Sequence, residues 1–318
     1  MIATVWRQGK GLAVPTLVLV FMLASLVMLR PGVLTLDELN VDTAAAMTLI
    51  LVASGETLVI LRGGIDPSVG GILSLATAIA ATRFQTSFGT ATWIMAILVL
   101  GLGIGMMNGA LISVLQLQPF LVTLASWSVI GGLAAIVLPT EGGGVPGFWV
   151  TAGSGTVFGL SLAVWALILL LLCWMWFRRT RLYTAIRAAG SNERSAFLCG
   201  VSLMRTNIAA YGLSGLFAAL GGVFLTTQTG SGSPNVGNDY VLPAVAAVVI
   251  GGTSLFGGRG GLFGTILGAF VLTLIGDVVF VLQISSYWQP VASGLILVLA
   301  VLTTSLAEKS TLRRSEMS

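Results

Sequence analysis

Long apolar runs dominate this chain, and short polar stretches interrupt them at regular intervals. Each run of about 20 apolar residues is long enough to cross the ~30 Å hydrocarbon core of a bilayer. Together with the turn and charge signals between them, the runs predict ten membrane-spanning helices. Their approximate bounds are 11–29, 43–61, 67–82, 92–115, 119–138, 156–177, 206–226, 240–256, 261–283 and 287–305. We therefore predict an all-α membrane protein with a single transmembrane domain over residues 1–318.

The positions of the basic residues predict the orientation of this ten-helix topology. With the N-terminus in the cytoplasm, the cytoplasmic segments contain all of the 15 lysines and arginines except Arg30 and Arg83. The outer loops contain acidic residues instead, namely Asp37, Glu38, Asp42, Glu141 and Asp239. Because positive charge concentrates in cytoplasmic loops, we expect both termini in the cytoplasm. The net charge of +4 is then a consequence of topology and does not indicate nucleic-acid binding.

Composition excludes several classes of function. Only 8% of the residues are charged, whereas a soluble domain carries roughly 25%. A soluble enzyme, a nucleic-acid-binding protein and a disordered scaffold are therefore excluded. The chain has no histidine, and its two cysteines, Cys173 and Cys199, are far apart without neighbouring ligands. We predict no metal site, no disulfide framework and no catalytic residues.

The longest predicted cytoplasmic segment covers residues 178–205 and is rich in arginine. Ser191 or Asn192 can cap a short helix over residues 193–199. Gly200 then occupies the position after that helix, where a left-handed residue is common. Two interpretations remain open for this helix. It is either part of a solvated linker or a docking helix for a cytoplasmic partner.

Two acidic residues lie inside predicted spans, Glu56 in the second helix and Asp277 in the ninth. An ionised side chain at the bilayer centre is costly unless it is paired or hydrated. Neither residue has a basic partner at helical spacing. Lining a wet cavity or pairing within the bundle therefore explains them better than a role in proton-coupled transport.

Small and polar residues mark the fourth and fifth helices. Gly101, Gly105 and Gly109 recur every four residues and predict a face for close helix packing. The neighbouring Asn108 fits two roles equally well, helix packing or hydrogen bonding to a polyhydroxylated ligand. The fifth helix offers hydroxyl groups and an aromatic surface, which carbohydrate sites use but which helix–helix contacts use more often. These residues are Thr123, Ser126 and Trp127.

A glycine pair precedes the third helix. Gly63 and Gly64 permit a tight reversal after the second span. Asp66 is a suitable N-cap, and Pro67 fits the first helical position. A structural cap and turn is the simpler interpretation. The alternative is a helix N-terminus at membrane depth that points its positive end at a polar ligand.

Glycine is densest in the segment 251–264. A phosphate-binding loop would need a Gly-Lys-Ser/Thr ending and a preceding soluble strand, and the sequence has neither. Gly257, Gly258 and Arg259 instead predict a tight cytoplasmic turn between the eighth and ninth helices.

Four of these segments together resemble one family. They are Gly-Gly-Ile-Asp-Pro-Ser-Val-Gly at 63–70, Asn-Gly at 108–109 followed by Pro-Phe-Leu-Val-Thr-Leu at 119–124, the basic loop at 187–200, and Gly-Gly-Thr-Ser-Leu-Phe-Gly-Gly-Arg-Gly at 251–260. In this order and spacing they resemble the permease subunits of bacterial ABC importers for ribose and related sugars. The resemblance extends from about Ala44 to Thr303. One departure is Pro67, which stands where the family usually has leucine.

The resemblance implies partners at both membrane surfaces. A separate cytoplasmic ATPase would bind ATP and Mg, so this chain would need no cofactor. A coupling helix would fit into a cleft on that ATPase, with the candidate residues Arg187, Gly190, Asn192, Glu193, Ala196 and Gly200. A periplasmic sugar-binding protein would deliver substrate to the outer loops at 141–147 and 231–239.

The resemblance also implies a pathway in the bacterial inner membrane. Two permease chains, identical or related, would enclose it. Candidates for lining it are Asn108, Thr123, Ser126, Trp127, Glu56 and Asp66. Two other classes of function remain for comparison. A secondary transporter or channel would need paired intramembrane charges or clear repeats, and an intramembrane enzyme would need a nucleophile with a base or a metal cluster.

Overall fold

The computed structural model describes residues 2–29, 35–84 and 87–285, together with a few positions between 287 and 298. Within these ranges the chain is mostly helical, with one short hairpin. The elements in chain order are α1 (Ile2–Leu29), α2 (Leu36–Arg62), α3 (Ser68–Arg83), α4 (Ser87–Leu115), α5 (Pro119–Val137), α6 (Gly147–Ser154), β1 (Thr156–Val157), β2 (Leu160–Ser161), α7 (Leu162–Phe177), α8 (Arg181–Ser191), α9 (Glu193–Leu198), α10 (Leu203–Thr229), α11 (Asn238–Ile250) and α12 (Leu262–Val281).

Helices lie at nine of the ten predicted positions. These are α1 to α5, α7, α10, α11 and α12, whereas most of the tenth predicted span, 287–305, lies outside the described residues. In the described ranges, α2, α5, α10, α12 and residues Gly89–Leu115 of α4 are long and apolar enough to cross a membrane. A sixth span results if α7 and α8, which are bent by 77°, are counted together. Three further apolar helices are shorter: Pro15–Met28, α3 and α11.

The centre of the bundle is α2, which is enclosed along almost its whole apolar length. It packs against α10, α11 and α12, while α3 lies between α5 and α10. In contrast, α4 and α5 expose most of their apolar residues. An exposed apolar helix surface of this extent is stable in lipid and not in water. The burial pattern therefore agrees with an all-α membrane protein.

The predicted glycine face of α4 is confirmed by its crossing with α10. A Cβ atom added to Gly105 would lie 2.0 Å from the carbonyl oxygen of Tyr211, and one added to Gly101 would lie 2.5 Å from that of Gly215. The two backbones therefore touch directly. Only glycine permits such an approach, which is the usual basis of small-residue packing between membrane helices.

Several predicted boundaries differ from the structure for local reasons. The third helix begins at Ser68 and its N-cap is Pro67, so the predictions of Asp66 as the N-cap and Pro67 as the first helical residue are wrong by one position. The Asp66 carboxylate still accepts from the first backbone N–H of the helix, that of Ser68. The sixth predicted span begins at Leu162 because Phe158 and Gly159 both have positive φ and form the two-residue turn of the β1–β2 hairpin. The eighth ends at Ile250, where the glycine-rich turn starts.

Candidate coupling site and buried polar centre

The short helix predicted in the arginine-rich segment is present as α9. Its N-cap is Asn192, whose Oδ1 accepts a hydrogen bond from the backbone N–H of Ser195 at 2.8 Å. Gly200 follows the helix with a φ of 81°, in the left-handed region. Both capping predictions are therefore confirmed. Ala196 is buried against the rest of the chain, whereas Phe197 and Leu198 are exposed.

The end of α8 is joined to the end of α2 by direct backbone contact. A Cβ atom on Gly190 would lie 1.9 Å from the carbonyl oxygen of Leu61. The same oxygen accepts a hydrogen bond from the backbone N–H of Gly258 at 2.9 Å. Gly257 is also in close contact, because its Cβ would lie 2.7 Å from the carbonyl oxygen of Gly190. Three segments that are distant in sequence thus meet at one point.

Two polar contacts reinforce this meeting point. Arg62, at the end of α2, forms an ion pair with Glu193 of α9, with 2.8 Å between Nη1 and Oε1. The Arg62 side chain is 7% exposed and the Glu193 side chain is 63% exposed. Arg187 donates from Nε to the carbonyl oxygen of Gly258 at 3.2 Å. We call this region the α2–α8 junction, defined by Leu61, Arg62, Gly190, Glu193 and Gly258.

The predicted turns have the expected backbone conformations. Gly63 ends α2 with a φ of 95°. Gly257 and Gly258 also have positive φ, at 85° and 71°. The loop that contains them is closed by a hydrogen bond from the backbone N–H of Ser254 to the carbonyl oxygen of Arg259 at 3.0 Å. Left-handed glycines at these positions explain why the sequence is so rich in glycine there.

A chain of buried hydrogen bonds connects α2, the following turn, α3 and α4. Glu56 accepts at Oε1 from the backbone N–H of Asp66 at 3.1 Å. Asp66 in turn accepts at Oδ1 from both the backbone N–H and the hydroxyl of Ser68. Asn108 donates from Nδ2 to the Ser68 hydroxyl at 3.0 Å. We call these four residues, all of them at most 1% exposed, the buried polar centre.

Tyr211 of α10 completes the surroundings of this centre. Its hydroxyl would lie 2.2 Å from a Cβ on Gly64, so the glycine leaves room for it. In the described part of the chain, Glu56 Oε2, Asn108 Oδ1 and the Tyr211 hydroxyl have no hydrogen-bond partner. Sequence reasoning did not identify Arg62, Ser68 or Tyr211. A signal for Tyr211 was its position between small residues within an otherwise apolar span.

The candidate pathway residues fall into two groups by burial. Glu56, Asp66 and Asn108 lie in the buried polar centre. Thr123 is also fully buried, and its hydroxyl donates to the carbonyl oxygens of Pro119 at 2.9 Å and Ile65 at 3.3 Å. Their burial favours the structural roles that the sequence left open for them, namely pairing within the bundle, the turn before the third helix, and helix packing. Contact with substrate stays a prediction for all four.

The second group, Ser126 and Trp127, is half-buried on α5. Trp127 packs on the glycine pair of α3: a Cβ on Gly70 would lie 3.2 Å from its Nε1, and one on Gly71 would lie 3.0 Å from its carbonyl oxygen. This indole therefore contacts α3 while part of its surface stays accessible. A role in the pathway stays a prediction for these two residues as well.

The two outer loops predicted to receive a binding protein are brought together. Gly142 and Gly232 exchange backbone hydrogen bonds of 3.0 and 2.9 Å. Ser233 donates from its hydroxyl to Glu141 Oε1 at 2.7 Å. The two loops thus meet near the end of α3, where the backbone N–H of Gly144 donates to the carbonyl oxygen of Ala81, whereas Gly237 lies against Gly70 near the start of that helix.

Comparison with known proteins identifies the family. The model of the family described as "Branched-chain amino acid transport system / permease component" matches residues 43–301. The ribose import permease protein RbsC of Escherichia coli K12 is 35% identical over 306 residues, covering 93% of this chain and 94% of the relative. RbsC of Bacillus subtilis is 34% identical, covering 84% and 85% respectively. The autoinducer 2 import system permease protein LsrC of Yersinia pestis is 32% identical, covering 92% and 82%.

No solved structure matches this chain significantly. The family match nevertheless covers well over half of the sequence, and the relatives align almost from end to end. Its relatives and its apolar helices make this chain a multi-pass protein of the bacterial inner membrane. The chain therefore belongs to this family of transport-system permeases, as a permease subunit of the ABC importer type.

Proposed function

We propose that this chain forms the translocation pathway through which an ATP-driven importer takes up a sugar or a sugar-like small polar solute. The observation that carries the proposal is the similarity to the RbsC protein of Escherichia coli, which covers more than nine-tenths of both chains. The family match over residues 43–301 also includes α3 to α12, the α2–α8 junction and both outer loops. The chain is a transport subunit and not itself an enzyme.

We further propose ten membrane spans with both termini in the cytoplasm. Nine helices at the predicted positions support this count. The segregation of basic residues supports the orientation, since it leaves only Arg30 and Arg83 outside. In this topology the α2–α8 junction faces the cytoplasm, and the loops at 141–147 and 231–239 face the periplasm.

In this proposal α9 is the segment that docks on the ATPase, which binds ATP and Mg. Two features of α9 support it. Phe197 and Leu198 project from α9 without cover from the rest of the described chain, as expected for a partner contact. The ion pair between Arg62 and Glu193 links α9 to α2, which is the most buried of the candidate membrane spans in the described chain. A movement of α9 would therefore be passed to the centre of the bundle.

The remaining partners are a periplasmic binding protein and a second permease chain, identical or related. The two outer loops, which contact each other, would together contact the periplasmic binding protein. Substrate would pass near the half-buried Ser126 and Trp127, because the other four candidates are enclosed within the chain. The alternation between outward and inward access would follow ATP binding and hydrolysis in the partner.

The decisive experiment is uptake of labelled sugars into vesicles that contain this chain, its ATPase and its binding protein. We expect uptake that requires ATP. Glu193→Lys should reduce uptake at least about tenfold without preventing membrane insertion, because it replaces the ion pair with repulsion. Glu193→Asp serves as the matched control that keeps the charge. If the Glu193→Lys variant takes up sugar at the wild-type rate with ATP, α9 has no coupling role. If an ion gradient drives uptake without ATP, the chain is instead a secondary transporter.

A further inference from the structure

A cavity of about 350 Å³ lies at the elbow where α7 bends by 77° into α8. Its lining residues are Arg178, Tyr183, Thr184, Arg187, Ala188 and Gly258. None of the lining residues is acidic and two are arginines, so the cavity favours an anionic ligand.

Both arginines of this cavity are held in place by aromatic rings. The guanidinium of Arg178 lies 5.6 Å from the ring centre of Phe263 on α12. That of Arg187 lies 5.7 Å from the ring of Tyr183 and donates to the carbonyl oxygen of Gly258. A ring against one face of a guanidinium leaves its N–H edges free to bind. In the described part of the chain no carboxylate lies within 4.0 Å of either guanidinium. A phosphate group matches this fork of donors.

Charge in the surrounding segment also favours an anion. Between residues 178 and 205 the only acidic side chain is Glu193, and it is already paired with Arg62. The arginines of the segment are Arg178, Arg179, Arg181, Arg187, Arg194 and Arg205. Such basic clusters next to a membrane helix attract anionic lipid headgroups.

The depth of the cavity is indicated by the end of α7. Trp176, two residues before Arg178, is exposed. Exposed tryptophan at the end of an apolar helix is typical of the interface between acyl chains and headgroups. Because α8 leaves α7 at 77°, it runs close to the membrane plane if α7 crosses the bilayer. The cavity, which lies along α8 between Arg178 and Gly258, is then at the level of the phosphates.

We propose that this cavity binds the phosphate of an anionic phospholipid from the surrounding leaflet. Arg178 and Arg187 contact the phosphate oxygens, and the acyl chains lie along the exposed apolar surface of α7. The site holds a lipid next to the α2–α8 junction, since Gly258 belongs to both and Arg187 donates to its carbonyl oxygen. The proposal needs only that α7 ends at a membrane surface, so it stands apart from the identity of the transported solute.

The test uses native mass spectrometry on the full-length chain in mild detergent, titrated with phosphatidylglycerol or phosphatidylcholine. We expect a preference of about tenfold for phosphatidylglycerol. Arg178→Gln should reduce that preference by about fivefold. The matched control is Arg179→Gln, because Arg179 is the exposed neighbour that does not line the cavity. It removes the same charge and should reduce the preference by less than about twofold. Arg178→Lys checks whether the planar fork is needed as well as the charge.

Three outcomes would overturn the proposal. Equal losses in Arg178→Gln and Arg179→Gln would mean diffuse attraction to the surface and not a site. Displacement of the lipid by inorganic phosphate at millimolar concentration would mean that the ligand is a soluble phosphate. Unchanged lipid preference together with weaker binding of the ATPase would mean that Arg178 contacts the partner. Lipid preference is measured on the isolated chain, so its failure is distinguishable from a failure of transport.

Discussion

The α2–α8 junction and the buried polar centre lie at neighbouring points of α2 but are held together in different ways. At the junction, backbones meet directly, with Gly190 against the carbonyl oxygen of Leu61. In the centre, side chains meet through a chain of hydrogen bonds from Glu56 to Asn108. The first arrangement depends on the absence of side chains, and the second depends on particular polar atoms. The two regions should therefore respond to different kinds of substitution.

This difference bears on how movement passes through the bundle. Contact between backbones is stiff, because atoms at van der Waals distance resist further approach. A displacement of α8 and α9 would therefore move the end of α2 by nearly the same distance. Hydrogen bonds in the polar centre fix the turn after α2 instead, and through Ser68 they fix the start of α3. The junction is suited to transmission, and the centre is suited to holding one conformation.

The largest effect is expected for Gly190→Ala. The added Cβ would lie 1.9 Å from the carbonyl oxygen of Leu61, so α2 and α8 must separate. We expect the free energy of unfolding to fall by about 3 kcal/mol, at the upper end of the usual cost of overpacking. Denaturant unfolding of the purified chain in mild detergent measures this change.

Gly103→Ala is the matched control for this substitution. Gly103 is also helical, on α4, but a Cβ there would have no atom within 4 Å. We expect this variant to be as stable as the wild type, since alanine is the better helix former. If both variants unfold alike, the close approach at the junction contributes nothing to stability.

The local structure around the junction was predictable from the sequence, whereas the long-range contacts of both regions were not. Asn192 and Gly200 were assigned to the ends of a short helix because capping depends on residues only a few positions apart. The contact of Gly190 with Leu61 joins segments more than a hundred residues apart. Glycine serves both at close approaches between backbones and in turns. The sequence alone therefore does not distinguish the two roles.

Burial was the other property that the sequence left open. Glu56 and Asn108 were recognised as polar residues within spans, and their roles depended on which way they face. The structure encloses both within one chain and connects them through Ser68, a residue with no signal of its own. Hydrophobic periodicity did not decide this, because α2 and α4, the helices that carry these residues, are apolar on nearly all sides and so have no polar stripe.

The second largest effect is expected for Asp66→Ala. Its carboxylate accepts from the backbone N–H and the hydroxyl of Ser68, and its loss leaves both buried donors unsatisfied. We expect a loss of about 2 kcal/mol in the free energy of unfolding. Asp66→Asn keeps an acceptor oxygen and removes a charge close to Glu56, so its stability should stay within about 1 kcal/mol of the wild type. If Asp66→Asn lowers the free energy of unfolding as much as Asp66→Ala does, the charge of Asp66 itself is required.

A smaller effect is expected for Glu193→Gln at the junction. The ion pair with Arg62 is lost, but the Glu193 side chain is 63% exposed and water screens the interaction. We expect a loss of about 1 kcal/mol or less in the free energy of unfolding. Added salt should lower the free energy of unfolding of the wild type to nearly that of the variant, because it screens the ion pair. The stability of the variant itself should hardly change with salt. A salt-independent difference between the two would contradict an electrostatic origin.

The smallest effect is the interaction energy between the two regions, measured by a double-mutant cycle of Glu56→Gln and Glu193→Gln. Glu193 acts on α2 through Arg62, which lies six residues, or about 9 Å, along the helix from Glu56. Substitutions at such separation are usually additive within about 0.5 kcal/mol. We therefore expect the two losses of stability to add in the isolated chain. An interaction energy above about 1 kcal/mol would mean that the junction and the polar centre form one electrostatic network, and that α2 conveys charge effects as well as displacement.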